Sequence, residues 1–200
     1  MPRSASAAVA LAALSLLGCD PDDEPAEQLL GAGHDIEPPD RGMGRLELAD
    51  ETFDFELDAC RLDVVMAEGG GRELSLLLGG HGEREDGRGY GVGANRTATD
   101  YPGTASTFEL ESINILIAAE PGADVDGDPP PAKLSFSRSG TLEDRTQGEQ
   151  PALRASEDGL ITARDVELEM ERDAPGLDGL AGHQASLVAL CNADDVRFEG

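Results

Sequence analysis

Three aspartates alternate with other residues in one short stretch, and this spacing could hold a metal ion. The carboxylates belong to Asp124, Asp126 and Asp128. Calcium takes several oxygen ligands from a flexible loop, so alternating carboxylates are a candidate site. An EF-hand loop beginning at Asp124 would need glycine at its sixth position and glutamate at its twelfth, where this chain has Pro129 and Ser135. We therefore predict either a weak calcium site of another kind or a plain acidic loop tip.

Other patterns of catalytic or cofactor-binding residues are weak in this sequence. Residues 89–94, Gly-Tyr-Gly-Val-Gly-Ala, match a dinucleotide-binding pattern, but that motif opens a helix and the residues after it do not favour one. The glycines are more typical of a flat strand or a loop. His34, His81 and His183 lack zinc-ligand spacing, and the sequence has no serine-nucleophile motif. We predict that the protein is not an enzyme and that it has no cofactor, with calcium as the alternative.

A cysteine directly follows an apolar run near the start of the sequence. Arg3 precedes the run from Ala7 to Leu17, and Gly18 stands before Cys19. The run is far shorter than the ~20 residues that cross a bilayer, so it is typical of a signal peptide. Leu-Leu-Gly-Cys has the form of a bacterial lipobox, in which the cysteine thiol is lipidated. We predict a signal peptide over residues 1–18 and lipid on Cys19; the alternative is an ordinary signal peptide that leaves a free thiol.

The two other cysteines form an even pair once Cys19 carries lipid. They are Cys60 and Cys191, and exported proteins commonly form stable disulfides. We predict a Cys60–Cys191 disulfide that ties the second strand to the last one. Closing a loop of ~130 residues is worth roughly 5 kcal/mol in the chain-entropy model. The alternative is two unrelated buried thiols.

The chain is strongly acidic. It has 41 Asp and Glu residues against 15 Lys and Arg residues, and a formal net charge of -26. Such a surface repels nucleic acid and anionic lipid headgroups, so we exclude nucleic acid as a partner. The same charge favours divalent cations, basic partners or simple solubility.

The composition of the chain changes near residue 44. Residues 19–43 are rich in charge and proline, and such a segment cannot bury enough apolar surface to become ordered. We predict a disordered acidic tether behind the lipidated Cys19 and a folded β domain over residues 44–200. That length is sufficient for one hydrophobic core.

Apolar and polar residues alternate along most of the predicted domain. A period of two is typical of strands that are buried on one face. Turn sequences separate the runs, among them residues 49–51 and 157–159, and residues 122–131 are expected to be a loop. We predict an all-β domain, either an antiparallel β-sandwich or a small barrel-like fold. The alternating apolar positions include Leu46, Leu48, Phe53, Phe55, Leu57, Leu62, Val64, Met66, Leu74, Leu76, Leu78, Ile113, Ile115, Ile117, Leu134, Phe136, Ile161, Val166, Leu168, Leu187 and Cys191.

Four segments of the sequence together resemble a known family. They are residues 16–19, 53–60, 159–163 and 185–191. A lipobox, a spacer, a hairpin leading to a first cysteine and strands ending at a last cysteine occur in the same order in LpqH-type lipoprotein antigens of mycobacteria and related envelope lipoproteins. The resemblance implies an envelope lipoprotein with a small β-sandwich-like module whose two cysteines pair. It implies no catalytic residue.

These features predict a lipoprotein anchored to a membrane of the bacterial cell envelope, facing the periplasm or the exterior. We expect its domain to be a non-enzymatic binding or structural module whose partner is an envelope protein or a cell-wall component. The alternative is a calcium-dependent binding or hydrolytic domain at the same place, with Asp124, Asp126 and Asp128 as the calcium ligands.

Overall fold

The computed structural model describes residues 37–67, 71–100, 108–141, 151–172, 178–180 and 182–199. This part of the chain contains eleven strands and two short 3-10 helices, Asp178–Leu180 and Ala193–Asp195. The strands are β1 (Met43–Leu48), β2 (Glu51–Ala67), β3 (Gly71–Glu83), β4 (Gly89–Asp100), β5 (Phe108–Ile117), β6 (Ala132–Thr141), β7 (Arg154–Ala155), β8 (Leu160–Glu167), β9 (Glu169–Arg172), β10 (Gln184–Leu190) and β11 (Val196–Phe198). The predicted all-β fold is confirmed.

The strands form one mainly antiparallel sheet. Its order is β7-β8-β10-β1-β2-β3-β4-β5-β6-β9, and β11 pairs in parallel with β2. Each strand from β1 to β5 pairs with the strand that follows it in the chain, as consecutive strands commonly do. The connection from β1 to β2 turns at Ala49 and Asp50, with Ala49 at a φ of 55°. This confirms the tight turn predicted at residues 49–51.

A single residue connects two strands that lie near opposite ends of the strand order. β8 and β9 are separated only by Leu168, yet β8 lies next to one end of the strand order and β9 is the strand at the other end. The sheet must therefore curl until its ends approach each other, and Leu168 is fully buried where they meet. Since β8 and β9 do not pair among the described residues, the sheet is barrel-like but not closed.

A bulge in β2 explains why its two apolar runs are out of phase in the sequence. The pairing of β2 with β3 shifts between Leu57 and Ala59. Phe55 is buried before the shift and Leu62 is buried after it, although one has an odd and the other an even position. An extra residue in one strand turns the following side chains to the opposite face. The bulge thus keeps both halves of this 17-residue strand on one core.

The hydrophobic core lies inside the curled sheet and contains closely packed aromatic rings. Phe53 meets Tyr90 edge-on, with the ring centroids 5.1 Å apart, a favourable arrangement for an aromatic pair. Tyr90 donates its hydroxyl hydrogen to the backbone oxygen of Asp54. Gly44 lies against the ring of Phe55, where a Cβ atom would be only 2.3 Å from a ring carbon. These contacts fix the spacing of β1, β2 and β4.

Candidate functional site

A groove lies on the outer face of β1 and β10, where residues 37–40 cross the sheet. Two adjacent cavities of about 430 and 480 Å³ make up this groove. Glu37, Arg45 and Val188 line both of them. Val188 is 7% exposed although it points away from the interior, so the outer surface of the sheet is covered at this point. We refer to these cavities as the β1–β10 groove.

A second bulge shapes one wall of the β1–β10 groove. The pairing of β10 with β8 shifts so that Arg164 and Asp165 lie opposite Ser186. Asp165 has a φ of 53°, in the left-handed region that aspartate tolerates better than most residues. Bulges of this kind redirect side chains. Both residues of the bulge are exposed and line the groove with Glu47.

The charges in the groove are of both signs and are exposed. Arg45 donates from Nε to Oδ1 of Asp54 at 2.6 Å, and this hydrogen bond raises the pKa of Arg45 above its ordinary value. The two side chains are 50% and 57% exposed, so their ion pair adds little stability. Glu37 and Glu47 lie nearby. The groove can form hydrogen bonds and surface ion pairs with a partner, but it does not desolvate a group for acid–base chemistry.

The most unusual polar group in the described chain is a carboxylate inside the core. Glu111 of β5 is paired directly across the sheet with Arg96 of β4 on one side and Arg138 of β6 on the other. Its Oε2 atom accepts from Nη2 of Arg138 at 2.6 Å, and its Oε1 atom lies 3.5 Å from Nε of Arg96. Arg96 and Glu111 are both fully buried. We call these three residues the buried triad.

The buried triad also holds the chain segment that leads into β7. The backbone N–H groups of Ala152 and Leu153 donate to Glu111 at 3.2 and 3.3 Å, and Arg96 donates from Nη1 to the backbone oxygen of Leu153 at 3.1 Å. Desolvation lowers the pKa of Arg96 to about 10, although the nearby Glu111 carboxylate opposes this shift. These contacts fasten the segment before β7 to β4 and β5.

The predicted disulfide is present. Cys60 and Cys191 are bonded, with their Cα atoms 5.5 Å apart and a sequence separation of 131 residues. One detail of the prediction is wrong: Cys191 follows β10 directly, whereas the last strand is β11, which begins at Val196. The bridge therefore joins β2 to the end of β10. The short strand β11 lacks a long apolar run, so sequence alternation alone could not identify it.

The three aspartates of the predicted calcium site lie in the loop between β5 and β6. Asp124, Asp126 and Asp128 are all exposed there. In the part of the chain that the structure describes, no group of three His, Cys, Asp or Glu side chains is arranged to hold a metal ion. Calcium binding stays a prediction. Cys19, the predicted lipidation site, lies outside the described residues, as does the whole of residues 1–36.

The glycine-rich stretch at residues 89–94 is the start of β4. The chain continues as a strand to Asp100 rather than opening a helix, which confirms the strand interpretation over a dinucleotide site. The loop between β5 and β6 lies beside Gly89 and Gly91, where a Cβ atom would make only ordinary van der Waals contacts with it. A Cβ atom on Gly91 would lie 3.9 Å from Cγ2 of Val125, and one on Gly89 would lie 3.5 Å from the backbone oxygen of Ala123.

The two described histidines are exposed, as predicted. His81 places Nδ1 2.7 Å from Oδ2 of Asp58, a residue at the β2 bulge. This hydrogen bond raises the pKa of His81 above 6.5. His183 is also exposed. No zinc-ligand set forms around either histidine within the described residues.

The sequence interpretation missed the β1–β10 groove and the buried triad. The triad did leave one signal: Arg96 occupies an inward position in the series Tyr90, Val92, Ala94 and Ala98. An arginine at such a position needs an acidic partner on a neighbouring strand.

Neither helix in the described part of the chain has the length or apolar character to cross a membrane. No family model, curated protein or solved structure matches the chain.

Proposed function

We propose that this chain is a lipoprotein of the bacterial cell envelope, anchored through lipid on Cys19, and that its β domain is a non-enzymatic binding or structural module. The acidic tether would hold the domain away from the membrane. The partner class is an envelope protein or a cell-wall component, and nucleic acid is disfavoured by the net charge of -26.

The arrangement of the cysteines carries this proposal. The chain has three cysteines, and the structure pairs Cys60 with Cys191, which leaves Cys19 as the one cysteine outside the bridge. Stable disulfides belong to oxidising compartments such as the periplasm and the cell surface. A lipobox cysteine and a disulfide-bonded domain therefore point to the same side of the membrane.

The β1–β10 groove supports a binding role for the domain. It lies where residues 37–40, the end of the predicted tether, meet the sheet. Its two arginines, Arg45 and Arg164, stand among the acidic side chains Glu37, Glu47 and Asp165. A partner with paired charges and hydrogen-bonding groups would fit such a surface, whereas a phosphate-rich partner would meet net negative charge.

Membrane fractionation of cells that express the full chain tests the proposal. We compare the wild type with Cys19→Ala and with the control Gly18→Ala, which keeps a small residue before the cysteine. We expect the wild type and the control to be in the membrane fraction, and Cys19→Ala to be released or unprocessed. Mass spectrometry of the mature N-terminus should find acyl chains on Cys19.

Two results would contradict the proposal. If wild type and Cys19→Ala are both soluble and unmodified, Cys19 is an ordinary residue near a cleavage site. If the purified chain hydrolyses a substrate reproducibly, the domain is an enzyme. A solution measurement of calcium affinity would separately test the calcium-dependent alternative.

A further inference from the structure

One patch on the outer face of the sheet carries no charged side chain, although the chain is highly charged and Glu73, His81 and Lys133 lie just beyond it on the same strands. The strand register arranges twelve outward residues of β3 to β6 in three rows that cross four strands. We call this surface the neutral face. Its rows are Ser75-Thr97-Leu110-Ser139, Leu77-Asn95-Ser112-Ser137 and Gly79-Gly93-Asn114-Ser135.

This absence of charge is confined to one region of the sheet. Charged residues make up 28% of the chain, so about three of twelve average positions would be charged. The outer face around β1 and β8 has the opposite character, since Arg45, Glu47 and Arg164 project there. Charged pairs also border the neutral face, with Arg61 on the β2 side and Lys133 near β9.

The side chains of the neutral face are suited to an uncharged polar partner. Eight of the twelve residues are serine, threonine or asparagine, and their hydroxyl and amide groups can both donate and accept. The hydroxyl of Ser135, at the edge of the patch, already donates to Glu171. Leu77 and Leu110 are 49% and 39% exposed and add apolar contact area. At Gly93 a Cβ atom would lie 3.0 Å from Oδ1 of Asn114, so the Asn114 amide lies over that glycine.

The size of the neutral face argues against a second copy of the chain or another globular protein. Strands lie ~4.8 Å apart and rise ~3.4 Å per residue, so this grid covers roughly 400 Å². A stable protein interface needs about 800 Å² on each partner. A narrow, linear ligand can use a smaller surface. Basic partners would instead be drawn to the acidic faces, and anionic polymers would be repelled by the net charge of -26.

We propose that the neutral face binds an uncharged polysaccharide chain, which lies flat across β3 to β6. Sugar hydroxyls form hydrogen bonds with the serine, threonine and asparagine side chains, and the C–H faces of the sugar rings contact Leu77 and Leu110. This inference rests on the proposed function for where the polysaccharide is met, because a cell-wall component is one of the partner classes proposed above.

Fluorescence anisotropy with labelled hexasaccharides tests the inference. The neutral probes are hexamers of β-1,4-linked glucose and of β-1,4-linked N-acetylglucosamine, and the anionic probe is a hyaluronan hexamer. The protein is the purified full chain carrying Cys19→Ala, so the result does not depend on the lipid anchor. We expect at least one neutral hexamer to bind at least tenfold more tightly than the hyaluronan hexamer.

A matched pair of substitutions locates the binding surface. Ser112→Lys places a long charged side chain at the centre of the neutral face, whereas Gln184→Lys introduces the same charge at an exposed position of β10, away from the neutral face and from the residues that line the groove. We expect at least a tenfold loss of affinity for Ser112→Lys and less than a twofold change for Gln184→Lys. Thermal melts check that both variants fold; if Ser112→Lys does not, the exposed Ser137 takes its place as Ser137→Lys.

Three outcomes would overturn the inference. Neither neutral hexamer binds, or the hyaluronan hexamer binds equally well, or the two lysine variants lose affinity equally. Sedimentation equilibrium gives a further independent check. A dimer that Ser112→Lys dissociates would assign the neutral face to a second copy of the chain and would also overturn the inference. Failure here with a membrane-bound wild type would leave the proposed lipoprotein intact.

Discussion

The buried triad makes Glu111→Gln the most informative substitution for the stability of this domain. The carboxylate faces two arginines and accepts from two backbone N–H groups, whereas an amide has a single acceptor oxygen. Whichever way the amide turns, its NH2 group faces a donor, and Arg96 keeps a buried positive charge without its counter-ion. Breaking a buried ion pair in this manner costs about 3–5 kcal/mol.

Urea denaturation of the full chain with its disulfide intact measures this cost. A loss of 3–5 kcal/mol corresponds to a fall in melting temperature of roughly 6–20 °C for a domain of this size. The control is Glu73→Gln, which makes the same change at an exposed position on β3 and should alter the free energy of unfolding by less than about 0.5 kcal/mol. Hydrogen exchange should also speed up at the amides of Ala152 and Leu153, which lose their acceptor.

A double-mutant cycle separates the uncompensated charge from general disruption. Arg96→Met in the Glu111→Gln background removes the unpaired positive charge, so the two substitutions together should cost about 1–3 kcal/mol less than their sum. Additive costs would refute the reasoning, because they would show that Arg96 and Glu111 do not depend on each other. A cost for Glu111→Gln no larger than that of Glu73→Gln would refute it as well.

Three further predictions follow from other contacts. Intact-mass measurement should detect a gain of two hydrogens when the disulfide is reduced, and an unchanged mass would mean that both thiols are free. Denaturation of the reduced protein should show a loss of stability of roughly 5 kcal/mol in the chain-entropy model. An NMR titration should give His81 a pKa above 6.5 that moves back towards 6.5 in Asp58→Asn. Because folding raises the pKa of His81, the His81–Asp58 pair stabilises the fold below about pH 6.5, and this contribution is lost as the pH rises through the raised pKa. A His81 pKa that does not respond to Asp58→Asn would contradict the assigned contact. Gly44→Ala should destabilise the fold by about 1–3 kcal/mol in urea denaturation, because its Cβ atom would clash with the Phe55 ring. The control Gly79→Ala should be neutral, since its Cβ atom would lie 3.9 Å from the nearest neighbouring atom. Equal effects of the two substitutions would show that the clash at Gly44 is relieved without cost.

The alternating pattern predicted the fold class because it reports which side of each strand is buried. It could not report the two bulges. An extra residue shifts the alternation of buried and exposed positions at Leu57 to Ala59, and again at Arg164 to Asp165. The sequence therefore shows two separate apolar runs where the structure has one strand. The strand order was equally beyond reach, since β1 pairs with β10 across most of the chain.

The candidate site was less predictable than the fold. The prediction of the Cys60–Cys191 bridge depended on setting Cys19 aside as the predicted lipidated residue, because the two cysteines that remain have one possible connectivity. The β1–β10 groove depends on where residues 37–40 cross the sheet, which is a tertiary contact that alternation does not encode. The neutral face depends on the register of four strands, so its residues lie in separate, unremarkable parts of the sequence until β3 to β6 are aligned.

The pairing of β1 with β10 has a consequence for the order in which the protein folds. If the chain is exported as proposed, β1 and β2 emerge first, and these can form a local hairpin at once. The other edge of β1 has no partner until β10 emerges, so it is open to pairing with other chains during that interval. Contacts that span so much of the sequence slow folding. We therefore expect completion of the domain to wait for the last part of the chain, with earlier folding limited to the meander from β1 to β6.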